Sequence, residues 1–225
     1  MMNQKLYMVS LGPGDVKLLT LKALHAFKEC DAICVPTKSE DNSFNKSISY
    51  KIVSSALEML HARKPIVPVY SPMRFRHEDW VDEADVILDT LKRYNKVCFV
   101  TLGDAAIYSS IYYLLDIIKE KDANIYKNCE VIAGITSFSA ASAEAKKALC
   151  LGDEELIIKP INPRSEVKAT QIFMRPKIGM DTENLGEGDF YTFENMYLED
   201  AKITPSKIAK VKKYMTLFIN FAKRS

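Results

Sequence analysis

Three short stretches put small residues next to a carboxylate or hydroxyls directly after an apolar run: "SLGPGD" at residues 10–15, "TLGDAAIYSS" at 101–110 and "AGITSFSAASA" at 133–143. Glycines at such seams let the backbone approach a ligand closely. Asp15 is placed to cap the helix that follows the first seam, and Asp104 sits in the middle of the second. Thr136, Ser137 and Ser139 offer hydroxyls and amides at a helix start. Each turn alone is explained as a tight turn or a helix cap, but three of them at three strand ends are more economically read as one ligand crevice. The first lacks the third glycine of a dinucleotide fingerprint and the Gly-Lys-Ser/Thr of a phosphate loop, which disfavours NAD and ATP. A fourth stretch, "SPMRFRHED" at 71–79, gathers Arg74, Arg76 and His77 in a polar loop, either solvated or able to meet an anionic substrate.

Other chemistries lack their residues. His25, His61 and His77 are scattered and form no metal-ligand spacing, so no protein-bound metal is expected. No G-x-S-x-G elbow is present, and none of the five cysteines, Cys30, Cys34, Cys98, Cys129 and Cys150, belongs to a C-x-x-C pair or a nucleophile motif. They read as buried thiols of a reducing compartment. A net charge of +2 and a pI near 8.1 do not call for nucleic acid, although lysines crowd "KIAKVKKYM" at 207–215. The start has no signal-peptide pattern and no run reaches the roughly 18 apolar residues of a membrane span, so a cytoplasmic location is expected.

The elements that must position these seams alternate in period over the first two-thirds. Strands are expected at "LYMVSL" from Leu6, "AICVP" from Ala32, "IVPV" from Ile66, "VCFVTL" from Val97 and "CEVIAG" from Cys129. Their near-continuous apolarity predicts a sheet covered on both faces. Helix stripes run through Leu18, Leu21, Leu24 and Phe27, and through Trp80, Ala84, Ile87, Leu88, Leu91 and Tyr94. Further helices are predicted from Ser47 to His61, Ala106 to Glu120 and Ser137 to Leu149. Pro160, Pro163, Pro176 and the turn-rich "GMDTENLGEGD" then break the alternation. The expected organisation is an α/β domain over 1–150 and a smaller α+β domain over 151–225. Strands of the second are predicted at "ELIIKPI", "TQIFM", "FYTFENM" and "YMTLFINF".

With these residues in hand, the chain resembles the tetrapyrrole methylase family, and within it the methyltransferases that act on carbon 20 of precorrin-2 or cobalt-factor II. The motifs are "VSLGPGDVKLLTLKAL", "FVTLGDAAIYSS", "VIAGITSFSAASA" with "LGDEELII", and "FENMYLEDAKI" before a final strand "YMTLFIN". They lie in order over nearly the whole chain. The resemblance implies a two-domain fold, with a mostly parallel sheet in the first domain and a smaller mixed sheet in the second. It also implies a homodimer, a tetrapyrrole substrate and S-adenosylmethionine as the methyl donor, in the cleft between domains. By position it assigns to that donor Pro13, Gly103, Asp104, Ala105, Ile107, Tyr108, Thr136 and Ser137, with Met174 and Met196 from the second domain.

Arg74, Arg76 and His77 are candidates for the substrate's carboxylates. For the proton released after methyl transfer, Asp15, Tyr108 and solvent are all open. The sequence departs from the family at Ala105 and Ala133, where proline is common, and its segment from "NPRSEV" to "GEGDF" is short. The alternatives are a relative acting on another precorrin, a diphthine precursor or ribosomal RNA, and a module that binds the donor or tetrapyrrole without catalysis.

Overall fold

The structure, a computed structural model, describes residues 4–45, 47–72, 74–160 and 168–222. The chain divides into two compact units, Met1–Leu156 and Ile157–Ser225. The expectation for "ELIIKPI" falls partly, and Pro163 wholly, outside the described residues. No described helix is long and apolar enough to cross a membrane.

Unit 1 holds five strands, β1 (Lys5–Ser10), β2 (Ala32–Thr37), β3 (Ile66–Tyr70), β4 (Lys96–Thr101) and β5 (Cys129–Ile132), in one parallel sheet of order β3-β2-β4-β1-β5. Both faces are covered, which accounts for the unbroken apolar runs. Leu6 and Met8 of β1 join Val97 and Phe99 of β4 under α3 (His77–Arg93), α4 (Ile111–Lys121) and α5 (Ala123–Lys127). Tyr7 and Val9 join Cys98 and Val100 on the other face, under α1 (Leu21–Glu29) and α2 (Ile48–Met59). The connections β1 to β2 to β3 thus carry their helices on one face, and β3 to β4 to β5 on the other, as right-handed crossovers require. Neighbouring strands β1 and β4 are where the direction reverses.

Local chemistry sets the helix starts. The Thr20 hydroxyl accepts the Ala23 N–H ahead of α1, and Ser47 accepts the Tyr50 N–H ahead of α2. The helix expected from Ala106 begins only at Ile111. The Asp104 carboxylate captures the Ala106 N–H, Tyr108 stands at φ 52°, and the Ser109 hydroxyl accepts the Ile111 N–H. Of the cysteines read as buried, Cys30, Cys34 and Cys98 are, Cys129 is half-buried, and Cys150 is exposed. Cys150 follows α6 (Ser137–Ala145), within a stretch where Leu149, Leu151, Ile157 and Ile158 are exposed as well. No strand forms over the described part of "ELIIKPI". Its apolar residues have no ladder partner there.

Unit 2 is an antiparallel sheet of order β6-β9-β7-β8, from β6 (Gln171–Phe173), β7 (Asp189–Glu194), β8 (Lys202–Thr204) and β9 (Thr216–Phe221). Phe190, Val211 and Phe218 form its core, with Phe173, Met180, Leu185 and Ile208 packed against them. Its only described helical segment is one 3-10 turn, Glu183–Leu185. β8 has no counterpart in the sequence expectations, because its three residues, Lys202, Ile203 and Thr204, hold a single apolar side chain.

Candidate functional site

The three seams end three neighbouring strands, β4, β1 and β5, and the turns that follow them are joined. Gly12 and Gly103 exchange both backbone hydrogen bonds, at 3.0 and 2.8 Å, and the Leu11 N–H donates to the Thr101 carbonyl at 2.8 Å. This bridge stands at the carboxyl ends of β1 and β4, where the crossovers reverse direction. In open α/β sheets that is where a ligand crevice forms. Gly103 has φ 78° and nothing within 4 Å of where a side chain would begin, so its backbone is bare toward open space.

Asp104 ties the second turn to the third. Its Oδ1 accepts the Ala106 N–H at 2.7 Å and its Oδ2 accepts the Gly134 N–H at 3.2 Å. Asp104 is therefore first a clamp between two loops. A carboxylate accepts about four hydrogen bonds, so about two acceptor directions remain for a ligand. Gly134 also approaches the sheet too closely for any side chain: a Cβ there would lie 2.5 Å from Cβ of Ser10 and 2.9 Å from the Gly103 carbonyl oxygen. Below both turns the buried Ser10 hydroxyl accepts the Ala105 N–H at 2.9 Å. Ser10 was not among the residues expected from sequence, where it reads only as the polar end of an apolar run.

The remaining expected residues fall around this junction or apart from it. Pro13 is half-buried between Gly12 and Gly14, and Asp15 accepts the Lys17 N–H as the predicted cap. Ile107 and Tyr108 are exposed. Thr136 caps α6, accepting the Ser139 N–H, and Ser137 is its exposed first residue. Met174 is exposed at the end of β6 and Met196 half-buried after β7, both in unit 2.

Arg74 and Arg76 lie between β3 and α3 and His77 is the first residue of α3, all exposed. Arg74 is already paired, Nη2 to Asp79 Oδ1 at 2.8 Å. His77 lines a recess of about 190 Å³ with Trp80, Tyr113, Asp116 and Glu120. There Trp80 stacks on Tyr113 with centroids 4.0 Å apart and meets Phe75 edge-on at 6.1 Å. Among the described residues, no group of three or more His, Cys, Asp or Glu could hold a metal ion.

The junction can bind and orient a ligand that presents both cationic and polar groups. It offers bare backbone at Gly103, spare acceptor capacity at Asp104 and the exposed hydroxyl of Ser137, while the Thr136 hydroxyl is engaged with Ser139.

Comparison with known proteins bears on the family. The family profile described as Tetrapyrrole (Corrin/Porphyrin) Methylases matches residues 5–178. The probable cobalt-precorrin-2 C(20)-methyltransferase of Methanocaldococcus jannaschii is 32% identical over 157 residues, 70% of this chain and 64% of that protein. The match thus spans less than two thirds of that relative. The cobalt-precorrin-2 C(20)-methyltransferase of Salmonella typhimurium is 29% identical over 168 residues, 74% of this chain and 68% of that protein. In fold, the chain is similar to a putative cobalamin synthesis related protein from Corynebacterium diphtheriae. That likeness has a TM-score of 0.55 at 16% identity and covers 96% and 97% of the two chains.

Proposed function

Because the chain belongs to the tetrapyrrole (corrin/porphyrin) methylase family, we propose that it transfers a methyl group from S-adenosylmethionine to carbon 20 of precorrin-2 or cobalt-factor II, in the making of a corrinoid. The junction of three turns at the ends of β4, β1 and β5 supports this assignment, since it lies where an open α/β sheet binds ligands and leaves backbone at Gly103 and acceptor capacity at Asp104 free to meet the donor. The choice of carbon 20 is supported by the names of the two relatives above. A cobalt-precorrin-4 C(11)-methyltransferase from Priestia megaterium also matches, at 26% identity.

When bound, S-adenosylmethionine supplies an electrophilic methyl group that an electron-rich meso carbon can take in one in-line displacement. No covalent enzyme intermediate is needed, so the residues of this chain act by positioning, an effect worth up to about 7 to 11 kcal/mol. Pro13, Gly103, Ala105 and Ile107 present backbone and apolar surface to the cofactor. Asp104, Tyr108, Thr136 and Ser137 present polar groups, and Met174 and Met196 are the second unit's candidates for the same ligand. Arg76, His77 and, on release from Asp79, Arg74 receive the substrate's carboxylates. The protein is assigned as a cytoplasmic homodimer that binds neither nucleic acid nor membrane.

Asp104→Ala removes both acceptor bonds that fix the turns. It is expected to weaken S-adenosylhomocysteine binding about tenfold or more, on the scale of one or two charge-assisted hydrogen bonds, and to leave the far-ultraviolet dichroism unchanged. Unchanged affinity by calorimetry would count against the role of Asp104.

The activity itself is tested by incubating the protein with labelled S-adenosylmethionine and, separately, each tetrapyrrole, with the product read by mass spectrometry. Label on carbon 20 of either substrate is the expected result. Transfer to neither overturns the assignment. Retained cofactor binding in that case supports a second reading, a module that binds the donor without transferring its methyl group. That second reading is favoured by unit 2, which among the described residues holds a single 3-10 turn and no strand over the described part of "ELIIKPI".

A further inference from the structure

Ser10 touches both the Gly103–Ala105 turn and the Gly134 loop from below. It ends β1, paired with Thr101 of β4, and is 1% exposed. Its Oγ accepts the N–H of Ala105, itself 1% exposed, at 2.9 Å. Its Cβ and Oγ lie 2.5 and 3.4 Å from where a Cβ of Gly134 would be, so the Gly134 backbone rests directly on it. Gly134 in turn donates to Asp104 Oδ2, on the turn that Ser10 holds at Ala105. Ser10, Ala105, Asp104 and Gly134 thus close a ring of contacts across the three strand ends, with Ser10 its only fully buried side chain that makes a hydrogen bond.

Resting on the proposed function, we infer that Ser10 is a positioning residue for the S-adenosyl compound: its hydroxyl fixes the Gly103–Ala105 turn, and through Asp104 the Gly134 loop, in the arrangement that binds the ligand. A buried backbone N–H must have a partner. At Ala105 that partner is Ser10, so the turn has one low-energy position above the sheet. Without the hydroxyl, the Ala105 N–H must move toward water to be satisfied. Asp104 moves with it, and the Gly134 N–H loses its acceptor. Ser10 touches no ligand in this scheme and acts only through the turns.

The turn also supplies its own control. The Ile107 N–H donates to the Asp104 carbonyl at 3.1 Å, and neither Ala105 nor Ala106 has positive φ. Asp104 Oδ1 accepts the Ala106 N–H. These features define a type I turn with Ala105 at its second position, where proline is well tolerated and fixes φ. Ala105→Pro deletes the N–H that Ser10 serves and holds the turn by its ring, but the ring's Cδ takes the place of the hydrogen that points at Ser10 Oγ, 2.9 Å from N, so proline fits here only when residue 10 carries no side chain.

Three variants are needed, Ser10→Ala, Ser10→Gly and the double Ser10→Gly/Ala105→Pro, each measured for S-adenosylhomocysteine affinity by calorimetry and, without ligand, for amide exchange at Ala106 and Gly134. Ser10→Ala is expected to weaken binding about tenfold and to accelerate exchange at both amides, while Leu11, bonded to Thr101 in the sheet bridge, stays protected. Ser10→Gly is expected to lose affinity and protection as Ser10→Ala does, and the double variant to regain both to within about threefold of the unmodified protein, because no unserved N–H remains and the ring enters the space the side chain left. Wild-type affinity and wild-type Gly134 exchange in Ser10→Ala would overturn the inference, and so would a tenfold loss that the double variant keeps in full. A lowered melting temperature with both readouts unchanged would make Ser10 structural only and also overturn it. If the unmodified protein does not bind S-adenosylhomocysteine, the proposed function fails instead. Exchange at Ala106 and Gly134 then decides alone whether Ser10 positions the turns.

Discussion

Gly134→Ala is expected to lower the melting temperature by about 5 to 10 °C and to reduce S-adenosylhomocysteine affinity by about a hundredfold. The added methyl would stand 2.5 Å from the Ser10 Cβ and 2.9 Å from the Gly103 carbonyl oxygen, and neither belongs to the far end of a flexible chain. Backbone must therefore move. Overpacking of this kind costs about 1 to 3 kcal/mol, and any outward shift of the loop also stretches the 3.2 Å bond from the Gly134 N–H to Asp104. Positive φ plays no part, since Gly134 lies outside the left-handed region; the penalty is purely steric. Ser10→Gly in the same background removes the closer of the two contacts and should restore part of the stability, while the contact with Gly103 persists. A Gly134→Ala protein with wild-type melting temperature and affinity would show that the loop has room that these distances deny it.

The second large effect lies on the edge of the sheet. Glu83 of α3 is 2% exposed, and its Oε2 has no hydrogen-bond partner. Burial pushes its carboxyl up from 4.5 to about 7, the Ser71 side chain opposes this by a hydrogen bond, and the Asp79 carboxylate adds to it. The folded value lies above the unfolded one. The group's contribution is thus fully present below about pH 4.5, declines as pH rises toward 7, and is lost above that. Glu83→Gln has nearly the shape of the protonated acid and does not titrate. At pH 4 the variant and the parent should match, whereas at pH 8 the variant should be more stable by on the order of 3 kcal/mol. Thermal melts at both pH values check this. An advantage for glutamine that is the same at pH 4 and pH 8 would rule out titration of Glu83 as its source.

Much of the first unit was legible because β1, β2 and β4 are buried on both faces, which leaves their apolar runs without alternation, and the half-buried edge strands β3 and β5 keep short apolar runs too. The runs from Leu6, Ala32, Ile66, Val97 and Cys129 are β1 to β5 with small changes at their ends. The seams were legible for the same reason, since glycine and aspartate interrupt those runs abruptly. What the sequence hid depends on partners distant along the chain. Ser10 acquires its role from an N–H 95 residues away. Glu83 falls on the apolar stripe of α3, between Trp80 and Ile87, and that position was the one signal that it is buried. The "ELIIKPI" run has the composition of a strand, but pairing needs a neighbour, and its described residues form no ladder. Asp104 was read as a ligand-binding group, and its two bonds to backbone add a scaffolding role that spacing alone could not reveal.

The Trp80–Tyr113 stack gives the molecule a built-in optical reporter. Trp80 is the only tryptophan in the chain, so its emission has a single origin. It lies face to face with an aromatic ring of α4 and edge-on to Phe75, which sits between Arg74 and Arg76 in the loop assigned to the substrate's carboxylates. Any displacement of that loop alters the surroundings of this one fluorophore. Engagement of an anionic macrocycle can therefore be followed in unlabelled protein, through the colour and intensity of its own light.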